Sequence, residues 1–274
     1  MNNKKVDIVC IQETHNNKDN EIELENYKVY FSKAEGKGDN ENENGIGGVA
    51  IMIRKNLINC IVSIERISNR SMIITMNTGS KNKMKIINTY APHMGYDIGE
   101  RTKYWKEIKE IMNNNNKNNC TIWCTDNNGQ ISKCEGNNNI GNWTYSNKCE
   151  KGNGEKMRDV ITKNGMYAMN TMYNPKNNEK NELVTWISGD GNIKKQLDYI
   201  LISENHRNWV NNVKTKGIAN INQNYQHKLI QMDITMRLKK IIDNQYDKHL
   251  NYDIHELRLK PEETLINEEI KMEK

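Results

Sequence analysis

Short apolar runs, separated by polar and glycine-containing segments, dominate the first third of the chain. Residues 6–12 form a continuous run rich in β-branched side chains, and this pattern predicts a strand buried on both faces. Similar runs predict strands over residues 27–34, 48–55 and 83–92. The hairpin-length gaps between the runs therefore predict a β-rich amino-terminal region.

Two later segments have apolar residues at helical spacing. In residues 99–114 the apolar side chains recur every three or four positions and charged residues occupy the opposite face. Residues 156–173 predict a helix that ends at Gly165 and is followed by a strand.

The carboxy-terminal half returns to strand patterns. Residues 185–188 and 196–203 are expected to pair as a hairpin around a turn at residues 190–191. Residues 227–236 alternate between polar and apolar side chains, which predicts a last strand. Many strands with few helices favour a layered α+β architecture, with two sheets and helices outside them.

Composition refines the domain boundaries. Hydrophobic residues make up only 35% of the 274 residues, and much of the polarity comes from asparagine. The strand and helix patterns stop near residue 236, so residues 1–236 are expected to form one domain. Residues 237–274 are strongly charged and are expected to form a helix-prone or disordered tail.

Charge and cysteine content restrict the class of protein only in part. A net charge of +5 is compatible with a polyanionic partner and equally with an ordinary solvated surface. The 6 cysteines fit buried reduced thiols better than a zinc site or a disulfide framework. No apolar run approaches the ~18 residues of a membrane span and no signal peptide is visible, so we expect an intracellular protein with no membrane partner.

Polar side chains recur where the predicted strands begin or end. Glu13, Tyr90, Asp126 and His227 occupy such positions. Asn128 follows Asp126 by two residues, and on an extended strand the two side chains would point to the same side. Taken singly, each is more often a capping or surface residue than a functional one.

Asp198 differs from this group because apolar residues flank it in the run LDYILIS. A buried aspartate needs a partner, and a histidine such as His227 is a suitable one. The pattern therefore predicts that these two side chains meet in the folded chain.

Five motifs in order give a more specific indication: IQETH, NTYAPH, TDNN, TW followed by LDYILIS, and QHKL. This series resembles the endonuclease/exonuclease/phosphatase superfamily over residues 6–236. The blocks NGE, NT, TWIS, LDYI and QH are most similar to those of two groups. These are the endonuclease domains of non-LTR (LINE-type) retrotransposons and the craniofacial development protein 2-like proteins.

The resemblance implies a fold and a set of roles. The fold would be a four-layered α/β/β/α sandwich of the DNase I type, with the site where loops of the two sheets meet. Glu13 would bind Mg²⁺, or Mn²⁺ in its place. Asp126 and Asn128 would orient the attacking water and hold the phosphate, and Tyr90 would contact the phosphate.

The resemblance also implies one residue pair, and the sequence differs from the superfamily's usual pattern at three points. Asp198 would pair with His227. A strand carrying an asparagine usually precedes the first motif, so the domain is expected to be amino-terminally truncated and to lack its first strand. The usual GDFN reads TDNN here, and the usual aspartate before the last histidine is Gln226.

Three functions remain open from the sequence. The first is an Mg²⁺-dependent endonuclease that nicks DNA to a 3′-hydroxyl for target-primed reverse transcription, with a reverse transcriptase domain as partner and a nuclear location. The second is a catalytically inactive relative that binds nucleic acid or is a decayed module. The third is a phosphatase of the same fold.

Overall fold

The computed structural model describes residues 6–36, 45–175, 180–216, 226–241 and 256–258. Within these residues the chain forms two larger sheets that enclose a hydrophobic core, two α-helices, and two smaller sheets. None of these helices is both long and apolar enough to cross a membrane.

The first of the larger sheets has four antiparallel strands. They are β1 (Ile8–Gln12), β2 (Glu21–Glu23), β3 (Tyr27–Ser32) and β4 (Val49–Arg54), and their order across the sheet is β1-β4-β3-β2. The strands predicted over residues 6–12, 27–34 and 48–55 are thus confirmed.

The second sheet has six strands. They are β5 (Ile61–Ser68), β6 (Ser71–Asn77), β7 (Lys83–Tyr90), β8 (Cys120–Asp126), β9 (Met166–Ala168) and β12 (Asp198–Ser203), in the order β5-β6-β7-β8-β12-β9. β7 and β8 pair in parallel. Parallel neighbours need a crossover, and the helix that lies between them in the chain supplies it.

The two α-helices pack on the face of the six-stranded sheet that points away from the other sheet. α1 (Ile98–Asn113) buries Trp105 and Ile108 there, and α2 (Asn153–Asn164) buries Met157. Gly165 ends α2 in the left-handed conformation at φ 60°, as its position in the sequence predicted.

The smaller sheets lie nearer the carboxyl terminus. β10 (Trp186–Ile187) pairs with β11 (Lys194–Lys195), and β13 (Val210–Lys216), β14 (Leu229–Arg237) and β15 (Glu256–Arg258) form a three-stranded sheet. Short 3-10 helices occupy Lys55–Cys60, Met169–Thr171, Lys180–Glu182 and Glu204–Trp209.

The core between the sheets draws on three of them. Ile51 and Ile53 of the four-stranded sheet, Ile74 and Ile86 of the six-stranded sheet, and Ile234 of β14 belong to one buried cluster. Burial of a side chain of this size contributes about 1.5–3 kcal/mol, so this shared cluster holds the sheets together.

Several predictions are corrected by the topology. β1 lies at the edge of its sheet and its 5 residues are only half-buried, so it is not buried on both faces. The strand at residues 185–188 pairs with β11, whereas β12 pairs with β8 and β9, so the predicted hairpin partner was wrong.

The helices of the described residues lie on one side of the predicted α+β sandwich. Both α-helices of the described residues belong to the cluster on the six-stranded sheet, and none covers the outer face of the four-stranded sheet. The connection between β1 and β2, residues 13–20, is an irregular segment.

The carboxy-terminal tail is described only in part. β15 shows that residues 256–258 pair with β14, and Leu238 is buried. The other positions of the predicted tail beyond residue 241 lie outside the described residues, so its helix-prone or disordered character stays a prediction.

The six cysteines differ in burial. All six are free thiols; Cys60 and Cys120 are buried and the other four are half-buried.

Candidate active site

Three neighbouring strands of the six-stranded sheet bring polar side chains together at their ends. Tyr90 at the end of β7 is level with Asp126 at the end of β8, because these strands are parallel and in register. Asp198 begins β12, which runs antiparallel to β8, so it also lies opposite Asp126. The topology therefore gathers residues that are far apart in the sequence.

Asp126 is the buried centre of this group, with only 3% of its surface exposed. Its Oδ1 accepts a hydrogen bond of 2.9 Å from the backbone N–H of Asn128. The Asn128 side chain donates from Nδ2 to the Ala91 carbonyl at 2.9 Å and approaches Asp126 Oδ2 at 3.4 Å. The two residues lie side by side, as predicted.

The reason for this proximity differs from the prediction. β8 ends at Asp126, and Asn128 lies beyond the strand with a left-handed φ of 46°. Asparagine is one of the few residues that tolerate this conformation, because its short polar side chain bonds locally. A tight turn, and not strand alternation, thus places the amide beside the carboxylate.

His227 and Asp198 form the predicted pair. The Nδ1 atom of His227 lies 3.0 and 3.2 Å from the two carboxylate oxygens of Asp198, which fixes the ring with Nδ1–H as donor. The other ring nitrogen, Nε2, then points toward Asp126 at 3.9 Å from Oδ2. A backbone bridge between His227 and Trp186 of β10 holds the histidine in place.

Glu13 enters the site from the four-stranded sheet, directly after β1. Its side chain is exposed and accepts a short hydrogen bond from the Tyr90 hydroxyl. Its backbone has φ 53°, an unfavourable value for a glutamate. Hydrogen bonds from the next two backbone N–H groups to the carbonyls of Gly47 and Gly48, both 3.0 Å, fix this conformation.

The pKa values of three site residues are raised, because carboxylates lie close together and the residues are partly or fully buried. Burial, followed by the charge of Asp198, raises the pKa of Asp126 to about 8. For His227, burial acts to lower the pKa, but the hydrogen bond and charge of Asp198 prevail and raise it to about 9. Burial and the Glu13 carboxylate raise the pKa of the Tyr90 hydroxyl, which therefore stays protonated.

The side chains fit a divalent cation. Asp126, Asp198 and His227 offer ligand atoms that all lie within 4.8 Å of one another. His227 offsets only part of the cost of charging Asp126, whose pKa stays strongly raised, and a cation would supply further positive charge. Carboxylate oxygens are the ligands that Mg²⁺ prefers, so the two aspartates suit a hard ion.

Asn88 supports the site through hydrogen bonds to the other sheet. Its role was not predicted from the sequence. It is completely buried on β7, and its Nδ2 donates to the carbonyls of Ile11 and Ala50, both at 2.9 Å. Its Oδ1 accepts from Gln12 Nε2 at 2.6 Å. These bonds tie the six-stranded sheet to β1, the strand that directly precedes Glu13.

Asn153, the first residue of the NGE block, has a similar supporting position. It is buried, accepts from Trp105 Nε1 at 2.9 Å, and donates to the Pro92 carbonyl at 2.9 Å. It also approaches the Asn128 carbonyl at 3.4 Å. The start of α2 therefore holds the loop that follows β8.

Solved structures share this architecture at low sequence identity. The 3′ phosphatase NExo from Neisseria, bound to product DNA hairpin, matches with a TM-score of 0.59 at 12% identity, covering 83% of this chain and 88% of its own. The AP endonuclease from Archaeoglobus fulgidus matches with 0.55 at 16% identity, with the same coverages of 83% and 88%. The endonuclease domain of TRAS1, a telomere-specific non-LTR retrotransposon, matches with 0.53 at 14% identity, covering 76% of this chain and 80% of its own. The fold is therefore the DNase I-like α+β sandwich of the endonuclease/exonuclease/phosphatase proteins.

Two curated proteins are similar in sequence to most of this chain. Proteins named craniofacial development protein 2, from Tragulus javanicus and Bos taurus, are each 23% identical over 241 residues, or 88% of this chain. The chain spans 39% and 38% of the length of these two relatives. No family model matches the chain.

Proposed function

We propose that this chain is a divalent-metal-dependent phosphodiesterase that nicks DNA and leaves a 3′-hydroxyl end. The observation that supports it most directly is the buried Asp126 carboxylate, which faces Nε2 of His227 at 3.9 Å while Asp198 holds the opposite ring nitrogen. A proton acceptor and a cationic donor at one edge of the sandwich are what phosphodiester hydrolysis requires.

Glu13 and the carboxylates near it would hold the metal, for which we propose Mg²⁺. When bound, the ion would supply positive charge to the phosphate oxygens and to the leaving oxygen. Glu13 is exposed and carries a hydrogen bond only from Tyr90 in the described structure, so its second carboxylate oxygen is available to a ligand. His227 has Nδ1 committed to Asp198, which suits it better to proton donation than to metal binding.

The protein groups have distinct tasks in the proposed reaction. Asp126 accepts a proton from the attacking water, whose oxygen forms the new bond to phosphorus. Protonated His227 donates a hydrogen bond to a non-bridging phosphoryl oxygen, and Tyr90 stabilises the same phosphate through its hydroxyl. The bond between phosphorus and the 3′ oxygen breaks, and that oxygen takes up a proton to become the 3′-hydroxyl. Asn128 orients Asp126 through its backbone N–H and contacts the phosphate.

We further propose that this activity serves a retroelement. The motif series and the shared fold with the TRAS1 endonuclease domain support this proposal. The nick would provide the 3′-hydroxyl from which a reverse transcriptase, carried elsewhere in the element, starts synthesis. Action on genomic DNA implies a nuclear location.

Plasmid nicking tests the proposed function. The purified chain would be incubated with supercoiled DNA in Mg²⁺, in EDTA, and as the His227→Ala variant. His206→Ala is the matched control, because His206 lies in the 3-10 helix at the far end of β12. We expect Mg²⁺-dependent relaxation that falls at least about 100-fold in His227→Ala and persists in the control.

The end chemistry separates the proposal from the other two functions. Nicked DNA that a polymerase extends without further treatment has a 3′-hydroxyl, as proposed. Release of phosphate from a 3′-phosphorylated oligonucleotide without nicking would replace the endonuclease by a phosphatase. A chain that is folded by circular dichroism and binds DNA but hydrolyses neither substrate would be the inactive relative.

A further inference from the structure

Arg70 is a buried cation beside the site that the proposed reaction does not use. It lies in the turn between β5 and β6, and only 8% of its surface is exposed. Its backbone is fixed by a bond of 2.9 Å from the Tyr90 N–H to its carbonyl and by its own N–H, which donates to Ser68 Oγ at 3.1 Å. The side chain is therefore held next to Tyr90.

The guanidinium lies against two aromatic rings. Its central carbon is 5.1 Å from the ring centre of Tyr90 and 4.7 Å from that of Tyr96. The Nη1 atom is buried without a hydrogen-bond partner, and no ion pair joins Arg70 to the part of the chain that is described. We call Arg70, Tyr90 and Tyr96 the arginine–tyrosine cluster.

The aromatic contacts leave Nη1 of Arg70 without a hydrogen-bond acceptor. Two aromatic faces attract the guanidinium, but they offer no oxygen or nitrogen acceptor to its N–H groups. A buried donor that is left unpaired and a buried charge that loses its hydration are both unfavourable. An anion that reached the guanidinium would accept a hydrogen bond from Nη1 and balance the charge, so the cluster is suited to bind an anion.

The position of the cluster indicates which anion it takes. Tyr90 contributes its ring to Arg70 and its hydroxyl to Glu13, so the cation lies one side chain away from the proposed metal ligand. Guanidinium groups match phosphate oxygens with two parallel N–H donors. Tyr96 precedes α1 and is half-buried, and its ring packs edge-on against the exposed ring of His93 at 4.5 Å. Rotation of the Tyr96 ring would open the guanidinium to the substrate side.

We propose that Arg70 binds a phosphate group of the nucleic-acid strand at the Tyr90 side of the site. This inference rests on the proposed function, because it assumes a phosphodiester substrate. Arg70 is accordingly a substrate-binding residue that supplies fixed positive charge independently of the metal.

Binding without cleavage tests the role of Arg70. Arg70→Met would be introduced into the His227→Ala background, and binding of a fluorescein-labelled duplex oligonucleotide would be followed by anisotropy in Mg²⁺ over a series of KCl concentrations. Arg207→Met is the matched control, since Arg207 stacks on Tyr167 at 5.0 Å near the opposite edge of the sheet. We expect Arg70→Met to weaken binding about tenfold and to lower the slope of log Kd against log salt by about 0.9, the loss of one phosphate contact.

Inorganic phosphate separates a strand phosphate from a free one. If the arginine–tyrosine cluster binds a phosphate group of the strand, inorganic phosphate at buffer concentrations competes only weakly with the duplex. Tight, Arg70-dependent binding of inorganic phosphate with unchanged duplex binding would overturn the proposal. Equal affinity and salt slope in folded Arg70→Met and Arg207→Met would also overturn it. If Arg70→Met does not fold, Arg70→Lys takes its place. This variant keeps the charge, so weaker binding at an unchanged salt slope supports the proposal and wild-type binding overturns it.

The two hypotheses fail separately. A chain that binds DNA through Arg70 but never nicks it would refute the proposed hydrolysis and leave the phosphate contact standing. A chain that nicks DNA with the same KM in wild type and Arg70→Met would keep the nuclease and remove the role of Arg70.

Discussion

Single residues at this site depend on neighbours that constrain them in unfavourable states. Glu13 and Asn128 both have positive φ, and Asp126 is a buried carboxylate with a pKa of about 8. Each of the two backbone states costs of order 1–3 kcal/mol and persists only because surrounding bonds hold it. Conformations and charges of this kind are concentrated at ligand-binding and catalytic sites.

The Asp198→Asn variant tests how one carboxylate controls His227. Burial alone would lower the histidine pKa, and the carboxylate of Asp198 is what raises it to about 9. We expect the variant to lower this pKa, and the alkaline limit of nicking to move to lower pH with it. The imidazole proton shifts of His227, followed by NMR against pH, measure the change.

Asp190→Asn is the control for this titration, because Asp190 is an exposed carboxylate in the turn between β10 and β11. An unchanged His227 titration in Asp198→Asn would show that the hydrogen bond does not set its charge.

The elements were predictable where one physical signal dominated. The periodic apolar face of α1 and the glycine after α2 gave both helices within a few residues. The edge position of β1 could not be read from its apolar run, because burial depends on which strands become neighbours. The pairing of β10 with β11 was missed for a different reason. β11 has only two residues, both lysines, so its sequence shows no strand pattern.

A single side chain on β7 couples the two larger sheets. Asn88→Ala would leave the carbonyls of Ile11 and Ala50, and the amide of Gln12, without their partner in a dry core. We expect a loss of about 2–4 kcal/mol in the free energy of unfolding, because buried polar groups would be left unpaired. Urea denaturation followed by circular dichroism measures it.

The same variant should weaken Mg²⁺ binding, since Glu13 follows Gln12 on the strand that Asn88 holds. Asn211→Ala is the control; its side chain bonds Thr235 Oγ1 at 2.8 Å on an exposed face. Equal stability of the two variants would show that the link between the sheets contributes little.

At the level of the whole molecule, the site forms where the ends of two sheets meet. The residues with a motif signal, from Glu13 to His227, were predictable because their order along the chain resembles a known series. Arg70 and Asn88 were not. An arginine in a hairpin turn would be predicted to be solvent-exposed. One asparagine does not stand out in an asparagine-rich chain. Their roles arise only from contacts between segments that are distant in sequence.

Crowding of charge at this edge makes the stability of the metal-free protein depend on pH. The pKa of Asp126 rises from 3.8 to about 8 on folding, so the folded state takes up a proton and loses stability as pH rises through this window. The pKa of His227 rises from 6.5 to about 9, so the stability it contributes is complete below pH 6.5 and is lost as pH approaches 9. Both groups therefore predict a melting temperature in EDTA that falls between pH 6.5 and 9.

Magnesium should reverse part of this loss, because the cation binds the deprotonated carboxylates and competes with the proton. We expect the increase in Tm produced by Mg²⁺ to grow as pH rises over the same range. Asp126→Asn should flatten the pH dependence in EDTA, whereas Asp159→Asn, at an exposed position on α2, should leave it unchanged. A melting temperature in EDTA that stays constant or rises toward pH 9 would show that Asp126 and His227 do not hold these protons. The charge balance assigned to the site would then be wrong.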